Sequence, residues 1–258
     1  SKNNSLTGVN SINWARIISQ VVYYCYAASK IDPQKKIDFC IPTGNFGNIY
    51  AGFIAKKIGT NIDKLIIATN LNDILHRTLL TGQYFKDKVY KTHSPSMDIQ
   101  VSSNFERLLF EMLERDGAKT KSLMDEFAAN GKFTLDATEM ARVQSLFSAY
   151  RLDDAGTIAE ITSTAKNDGM VLDPHSAVGL SAARRARLDG TIASEIPIIS
   201  LACAHPAKFE TAVKIATGNS PTLPPHIGDL MTRPEQMQTV DADVDAVKAL
   251  VLAQKRSA

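Results

Sequence analysis

One stretch restricts the folds open to this chain more than any other: KIDFCIPTGNFGNIYAGFIAKK, Lys36 to Lys57. An apolar run with strand character ends at Pro42, and Gly44 and Gly47 then bracket Asn45 and Phe46. The helical segment that follows closes at Gly59, in the usual C-terminal position. A second apolar run, KLIIATN, precedes another helical pattern, LNDILHRTLLTG. Short connections in the order strand, helix, strand, helix predict an α/β fold whose parallel sheet is covered by helices.

The flanking segments extend this frame. NSINWARIISQVVYYCYAAS places Trp14, Ile17, Ile18, Val21, Val22 and Cys25 at helical spacing, with Asn13 as the cap. SMDIQV reads as a short strand. From about residue 104 to 170 the pattern is mainly helical: NFERLLFEMLERDG, SLMDEFAANG, DATEMARVQSLFSAYRLDD and TIAEITSTAKNDG. HSAVGLSAARRARLDG predicts another helix, and IPIISLACA a buried strand. HPAKFETAVKIATG then reads as a helix with proline in its first turn and glycine at its end. The tail from Asn219 is polar and proline-rich until a short helix in ADVDAVKALVLAQ.

Composition excludes several function classes. Twenty-nine basic and 27 acidic residues are mixed along the 258-residue chain, without the basic block that nucleic acid requires. The odd cysteine count (Cys25, Cys40 and Cys203) argues against a disulfide framework and for a reducing, cytoplasmic setting. No Cys/His spacing predicts a metal site. The longest apolar runs fall short of a membrane span.

The glycine loop carries the chemistry. The first turn of a helix has unpaired N–H groups and the positive end of its dipole, and glycine lets backbone approach an anion without a Cβ in the way. The Thr43 hydroxyl and the side-chain amides of Asn45 and Asn48 are further candidate donors. The alternative is a tight turn that needs glycine only for its dihedrals. A nucleoside-triphosphate loop requires GxxxxGK[ST] and a dinucleotide loop GxGxxG. Neither is present, which leaves a small phosphorylated ligand, and pyridoxal phosphate fits that description.

NSINWAR, PTGNFGNIYAG, ATNLND and AHPAKFE, in this order, resemble the long-chain threonine synthases of bacteria and fungi, in the tryptophan-synthase-like class of pyridoxal-phosphate enzymes. The resemblance implies conversion of O-phospho-L-homoserine and water to L-threonine and phosphate. It implies that Gly44, Asn45, Phe46, Gly47 and Asn48 hold the cofactor phosphate. Cys203 matches the position beside the pyridine nitrogen, where the family has threonine or serine; the bland reading is a small residue at a strand end. Asn13 and Arg16 match a helix near the substrate, and Lys208, with His205, opens a helix where a second anion binds. DPHSAVG matches a segment on the cofactor's far side, where His175 either sits near the ring or, the favoured reading, caps the next helix. His76 and His93 read as structural.

The resemblance also identifies what is missing. The family's Schiff-base lysine lies in an FKD-like motif upstream of the glycine loop. The only FKD here, Phe85-Lys86-Asp87, lies downstream of it and reads as coincidence. The chain, which opens on Ser1, is therefore expected to be one C-terminal portion (1–258) of such an enzyme, inactive alone and partnered by an N-terminal segment that holds the lysine. A related phospho-lyase and a non-catalytic phosphate-binding or interaction module remain the alternatives.

Overall fold

A computed structural model describes residue 8 and residues 10–32 and 34–254. They divide between two compact units, the boundary falling between Pro221 and Thr222. In the first unit four parallel strands form the central sheet in the order β5-β2-β1-β6: β1 (Ile37–Pro42), β2 (Ile62–Thr69), β5 (Phe147–Arg151) and β6 (Ile198–Ser200). Phe39 lies opposite both Leu65 and Ile199, and Ile66 opposite both Cys40 and Ser148.

Strand alternation divides the core into two layers. Phe39, Ile41, Leu65 and Ile67 lie in the cluster that includes residues of α1 (Trp14–Ile31), α2 (Gly47–Lys57) and α4 (Phe105–Met112). Cys40, Ile66 and Ala68 lie in the opposite one, with Val178, Ala182 and Ala183 of α8 (Pro174–Leu188). Both faces of β1 and β2 are thus covered, which is why these strands read as continuous apolar runs. Two glycines permit close approach. A Cβ on Gly52 of α2 would lie 2.9 Å from the Tyr24 ring, and one on Gly179 of α8 2.9 Å from Pro42 Cγ.

Three expectations need correction. SMDIQV is not a strand: a 3₁₀ turn spans Pro95–Met97, and the Asp98 carboxylate accepts from the Thr92 hydroxyl and from the side-chain amides of Asn70 and Asn72. The long helix expected in DATEMARVQSLFSAYRLDD ends at Gln144 as α6 (Ala137–Gln144), and Phe147–Arg151 becomes the edge strand β5. Pairing with β2 overrides a local pattern that fitted either period. HPAKFETAVKIATG is also not one helix, but a 3₁₀ turn, Pro206–Phe209, followed by α9 (Glu210–Thr217).

The remaining helices of the first unit are α3 (Ile74–Thr81), α5 (Gly117–Asn130) and α7 (Asp154–Asp168). A second, two-stranded antiparallel sheet, β3 (Gln83–Phe85) with β4 (Lys132–Thr134), interrupts the helical middle. Tyr84 stacks there on Phe105 and Phe133. The second unit contains 3₁₀ turns at Pro225–Ile227 and Leu230–Thr232 and the helix α10 (Val244–Gln254). Among the described residues no helix is long and apolar enough to cross a membrane.

Candidate functional site

The strand order reverses at β1: the chain moves from β1 to β2 on one side and later returns to β6 on the other. In open parallel sheets such a switch point opens a crevice beyond the carboxyl ends of the strands, because the connecting helices diverge to opposite faces. The glycine loop follows β1 and the Cys203 segment follows β6, so the fold brings two distant motifs to one crevice.

The loop is held through its carbonyls and the Phe46 ring. Phe46 sits at the N-cap of α2 in the left-handed region, φ 64°, with no side-chain cap. Its ring is buried, 5.4 Å from Phe105 and 5.8 Å from Phe147 between centroids, which pins a backbone shape that a non-glycine residue rarely adopts. The loop carbonyls are taken: Ser102 Oγ donates to Gly44 O at 2.7 Å, and Asn104 donates to Asn45 O from its backbone at 3.0 Å and its side chain at 2.9 Å. Among the described residues nothing accepts from the backbone N–H groups of Gly44, Asn45, Phe46, Gly47 and Asn48. The loop, together with Ser11, Arg16 and Gln20, lines a cavity of about 170 Å³.

Side chains divide differently from expectation. The Thr43 hydroxyl donates to Ile41 O at 2.6 Å, so it belongs to the strand end and offers no donor to the cavity. Asn48 Oδ1 accepts from the hydroxyls of Tyr23 and Tyr24, and Asn45 Oδ1 from Ser103 Oγ. Burial raises the Tyr23 hydroxyl above its ordinary range, with the Cys203 thiol as the second cause.

Arg16 lines the cavity, is exposed, and forms no ion pair among the described residues. Asn13 caps α1, accepting from the Ala15 N–H at 2.9 Å, and lines a shallower depression that also includes Arg16. Lys208 is exposed on the 3₁₀ turn, 5.9 Å over the Phe209 ring, and does not line the cavity. His205 Nδ1 takes the Ala207 N–H of that turn. Lys86 follows β3, with Nζ 5.0 Å over Phe127, and is likewise absent from the cavity lining.

Cys203 is solvent-accessible, yet the protein packed around it, and secondarily Asp173, push its thiol up to about 12. The thiol is therefore neutral at physiological pH. Its backbone N–H donates to Ser176 Oγ at 2.9 Å. His175 is not the helix cap. Asp173 is, accepting from His175 N at 3.0 Å, while the His175 ring is buried between Asp173 and the Ser96 amide. Sequence reading missed Asn104, Ser176 and the tyrosine pair, because their contacts join segments tens of residues apart. No cluster of three metal-ligating residues occurs among the described residues.

Sheet order, crevice and cup define a class: the fold is that of the type II pyridoxal-phosphate enzymes, shared with solved threonine synthases. The particular relationship follows from sequence. Residues 176–251 match the family described as threonine synthase, C-terminal. The threonine synthase of Pseudomonas aeruginosa is 42% identical over 252 residues, which are 97% of this chain and 53% of that protein. That of Saccharomyces cerevisiae is 40% identical over 265 residues, 93% and 51% of the two.

The crystal structure of PLP-bound threonine synthase from Brucella melitensis is 48% identical at a TM-score of 0.92, over 97% of this chain and 53% of that one. The yeast enzyme superposes at 0.90 with 37% identity, over 99% and 55%. The chain is thus homologous, over nearly its whole length, to the C-terminal region of threonine synthases. It spans about half the length of the curated relatives it matches.

Proposed function

We propose that this chain is the phosphate-binding half of a threonine synthase, an enzyme that converts O-phospho-L-homoserine and water to L-threonine and phosphate. The observation that carries the reading is the row of backbone amides from Gly44 to Asn48, which have no acceptor among the described residues and belong to residues lining a cavity that also includes Arg16. A cavity of about 170 Å³ suits the phosphate end of pyridoxal phosphate rather than a whole drug-sized ligand, which typically needs roughly 300 Å³ or more. When bound, that cofactor supplies an electron sink for removal of protons from the amino-acid substrate.

This chain's residues then have defined tasks. The loop amides and the dipole of α2 neutralise the cofactor phosphate. Cys203, neutral up to about 12, would meet the ring nitrogen of the bound cofactor without a negative charge, and so would not hold a proton there. Arg16 is the cation for the substrate phosphate, since a guanidinium fork matches it. Asn13 orients the start of α1 beneath Arg16, and Lys208 is the outer cation beyond the wall. The lysine that links the cofactor belongs to the half of the relatives that this chain does not span.

The test has two arms. The chain alone should bind pyridoxal phosphate at least tenfold more tightly than pyridoxal, should form no threonine, and should carry no cofactor on Lys86 or Lys208 after borohydride reduction. Co-expression with the N-terminal half of a homologous synthase should restore release of phosphate together with threonine. Equal affinity for pyridoxal and its phosphate, or labelling of Lys208, overturns the reading. Release of a keto acid instead of threonine indicates a phospho-lyase acting on another phosphorylated amino alcohol.

A further inference from the structure

Behind the crevice a single buried carboxylate joins two segments that both face it. Asp173 is 1% exposed. Its Oδ1 accepts from His175 N at 3.0 Å and from His175 Nδ1 at 2.9 Å. Its Oδ2 accepts from the Ser176 hydroxyl and from Ala204 N at 3.2 Å. Ser176 Oγ accepts the Cys203 N–H at 2.9 Å, so one arm ends at the wall beyond β6.

The other arm ends at the cup. His175 Nε2 accepts the Ser96 N–H at 3.2 Å, which requires the neutral ring with its proton on Nδ1, facing Asp173. The Ser96 carbonyl in turn lies 3.1 Å from where a Cβ on Gly44 would stand, with Met97 Cα at 3.3 Å. The Ser96 backbone is therefore the floor against which the cup is seated.

Capping α8 accounts for only one of these bonds, the one from His175 N. Serine or asparagine would supply it equally well. The other three use the second oxygen and the remaining lone pairs: one comes from Ala204 N, 31 residues away in sequence, and those from His175 Nδ1 and the Ser176 hydroxyl hold side chains that bond onward to the Ser96 and Cys203 amides. A carboxylate, with four acceptor sites and no donor, is the only side chain of this length that satisfies all of them.

We propose that Asp173 is a positioning residue that sets both walls of the cofactor site at once. Through His175 and Ser96 it seats the cup at Gly44, and through Ser176 and the Ala204 amide it fixes Cys203. The claim rests on the cofactor reading above, and the test separates the two. Asp173→Ser keeps the helix cap and loses both arms, His175→Ala cuts only the cup arm, and Ser176→Ala weakens only the wall arm.

Amide hydrogen exchange on the full chain reads each arm directly. In Asp173→Ser, exchange should rise at least tenfold at Ser96 and also at Cys203 and Ala204. His175→Ala should raise it at Ser96 alone, and Ser176→Ala at Cys203 alone. Affinity for pyridoxal phosphate should fall about tenfold in His175→Ala while affinity for pyridoxal stays within twofold.

Wild-type exchange at either segment in Asp173→Ser reduces Asp173 to a helix cap and overturns the proposal. If Asp173→Ser does not fold, the single-arm variants decide: unchanged Ser96 exchange or unchanged cofactor affinity in His175→Ala is equally fatal. A wild-type chain that binds no pyridoxal phosphate overturns the cofactor reading, and with it the claim about the site, whatever the exchange pattern.

Discussion

The two sides of the crevice are built unequally. On one side β1 is buried at all six positions, lies between two strands, and passes into a loop whose carbonyls are bonded and whose ring anchor, Phe46, is 1% exposed. On the other side β6 has three residues, each only partly buried, pairs among the described residues with β1 alone, and leads to an exposed Cys203. A phosphate cup can be completed by one strand–loop–helix unit, because its donors are consecutive backbone amides. A wall against a ring needs cover from elsewhere. The free edge of β6 is a strand edge that native proteins protect.

The largest effect expected from this contrast lies in the cup. A Cβ on Gly47 would meet Asn104 Nδ2 and Ser11 O at 3.4 Å, ordinary contact distance. Gly47→Ala should therefore leave stability and cofactor affinity close to wild type. Gly47→Asp adds no more crowding at Cβ but sets a carboxylate against the phosphate. At a separation of about 4 Å that repulsion is worth about 4 kcal/mol in a surface-like dielectric, roughly a thousandfold in affinity. Titration of both variants with pyridoxal phosphate checks it. Equal weakening by alanine and aspartate would show a steric effect and remove the charge argument.

The next effect is on stability, at the seam beneath both walls. A Cβ on Gly179 would stand 2.9 Å from Pro42 Cγ and 3.0 Å from Ser200 Oγ, at the ends of β1 and β6. Neither neighbour is a long flexible chain that can swing aside, so Gly179→Ala should cost about 1–3 kcal/mol. At this chain length that lowers Tm by roughly 2–4 °C per kcal/mol. Thermal unfolding checks it, and an unchanged Tm would mean that α8 moves off the sheet freely.

How much of this inequality was legible in the sequence follows from the range of the contacts. PTGNFGN marked the strand–loop–helix turn because its unbonded amides all lie within a few residues of Gly44, whereas Ser11, Arg16 and Gln20, which also line the cavity, lie more than 20 residues away. The strands β1 and β2 were legible because both faces are buried. FSAYR was not, since Phe147 and Tyr150 fit a helical spacing as well as a strand, and only the ladder to β2 decides. The Thr43 hydroxyl is a candidate donor by sequence because sequence cannot show that Ile41 O stands 2.6 Å away. His175 passed for a cap because its partner, the Ser96 amide, is 79 residues distant.

A smaller effect appears in acid. Burial alone would raise the Asp173 carboxyl, but hydrogen bonds from His175 and Ser176 outweigh it and hold the group below its ordinary range. A carboxyl depressed in the folded state contributes stability above its unfolded value, near pH 4, and loses it as pH falls through the lower folded value. The difference in Tm between wild type and Asp173→Ser should thus be constant from pH 8 to about 5 and shrink below about pH 4. A difference that persists unchanged at pH 2.5 would assign the loss to packing rather than to the charged network.

The smallest effect belongs to the exposed wall. The Cys203 thiol makes one weak hydrogen bond, with Sγ 4.0 Å from Leu201 O, and it is the backbone N–H, not the side chain, that Ser176 holds. Cys203→Ser should therefore change stability by less than about 0.5 kcal/mol, since it replaces one atom of an exposed residue and breaks no strong hydrogen bond. It should leave the affinity for pyridoxal phosphate within a factor of two, because a hydroxyl is as neutral as a thiol raised to about 12. Cys203→Asp is the sharper probe. A carboxylate facing the ring nitrogen would favour the protonated pyridinium, moving the bound cofactor's absorbance and its pH dependence while leaving the amide cup untouched. If neither spectrum nor affinity responds to aspartate, the ring does not lie against this strand end, and the cup alone is what the chain contributes to the site.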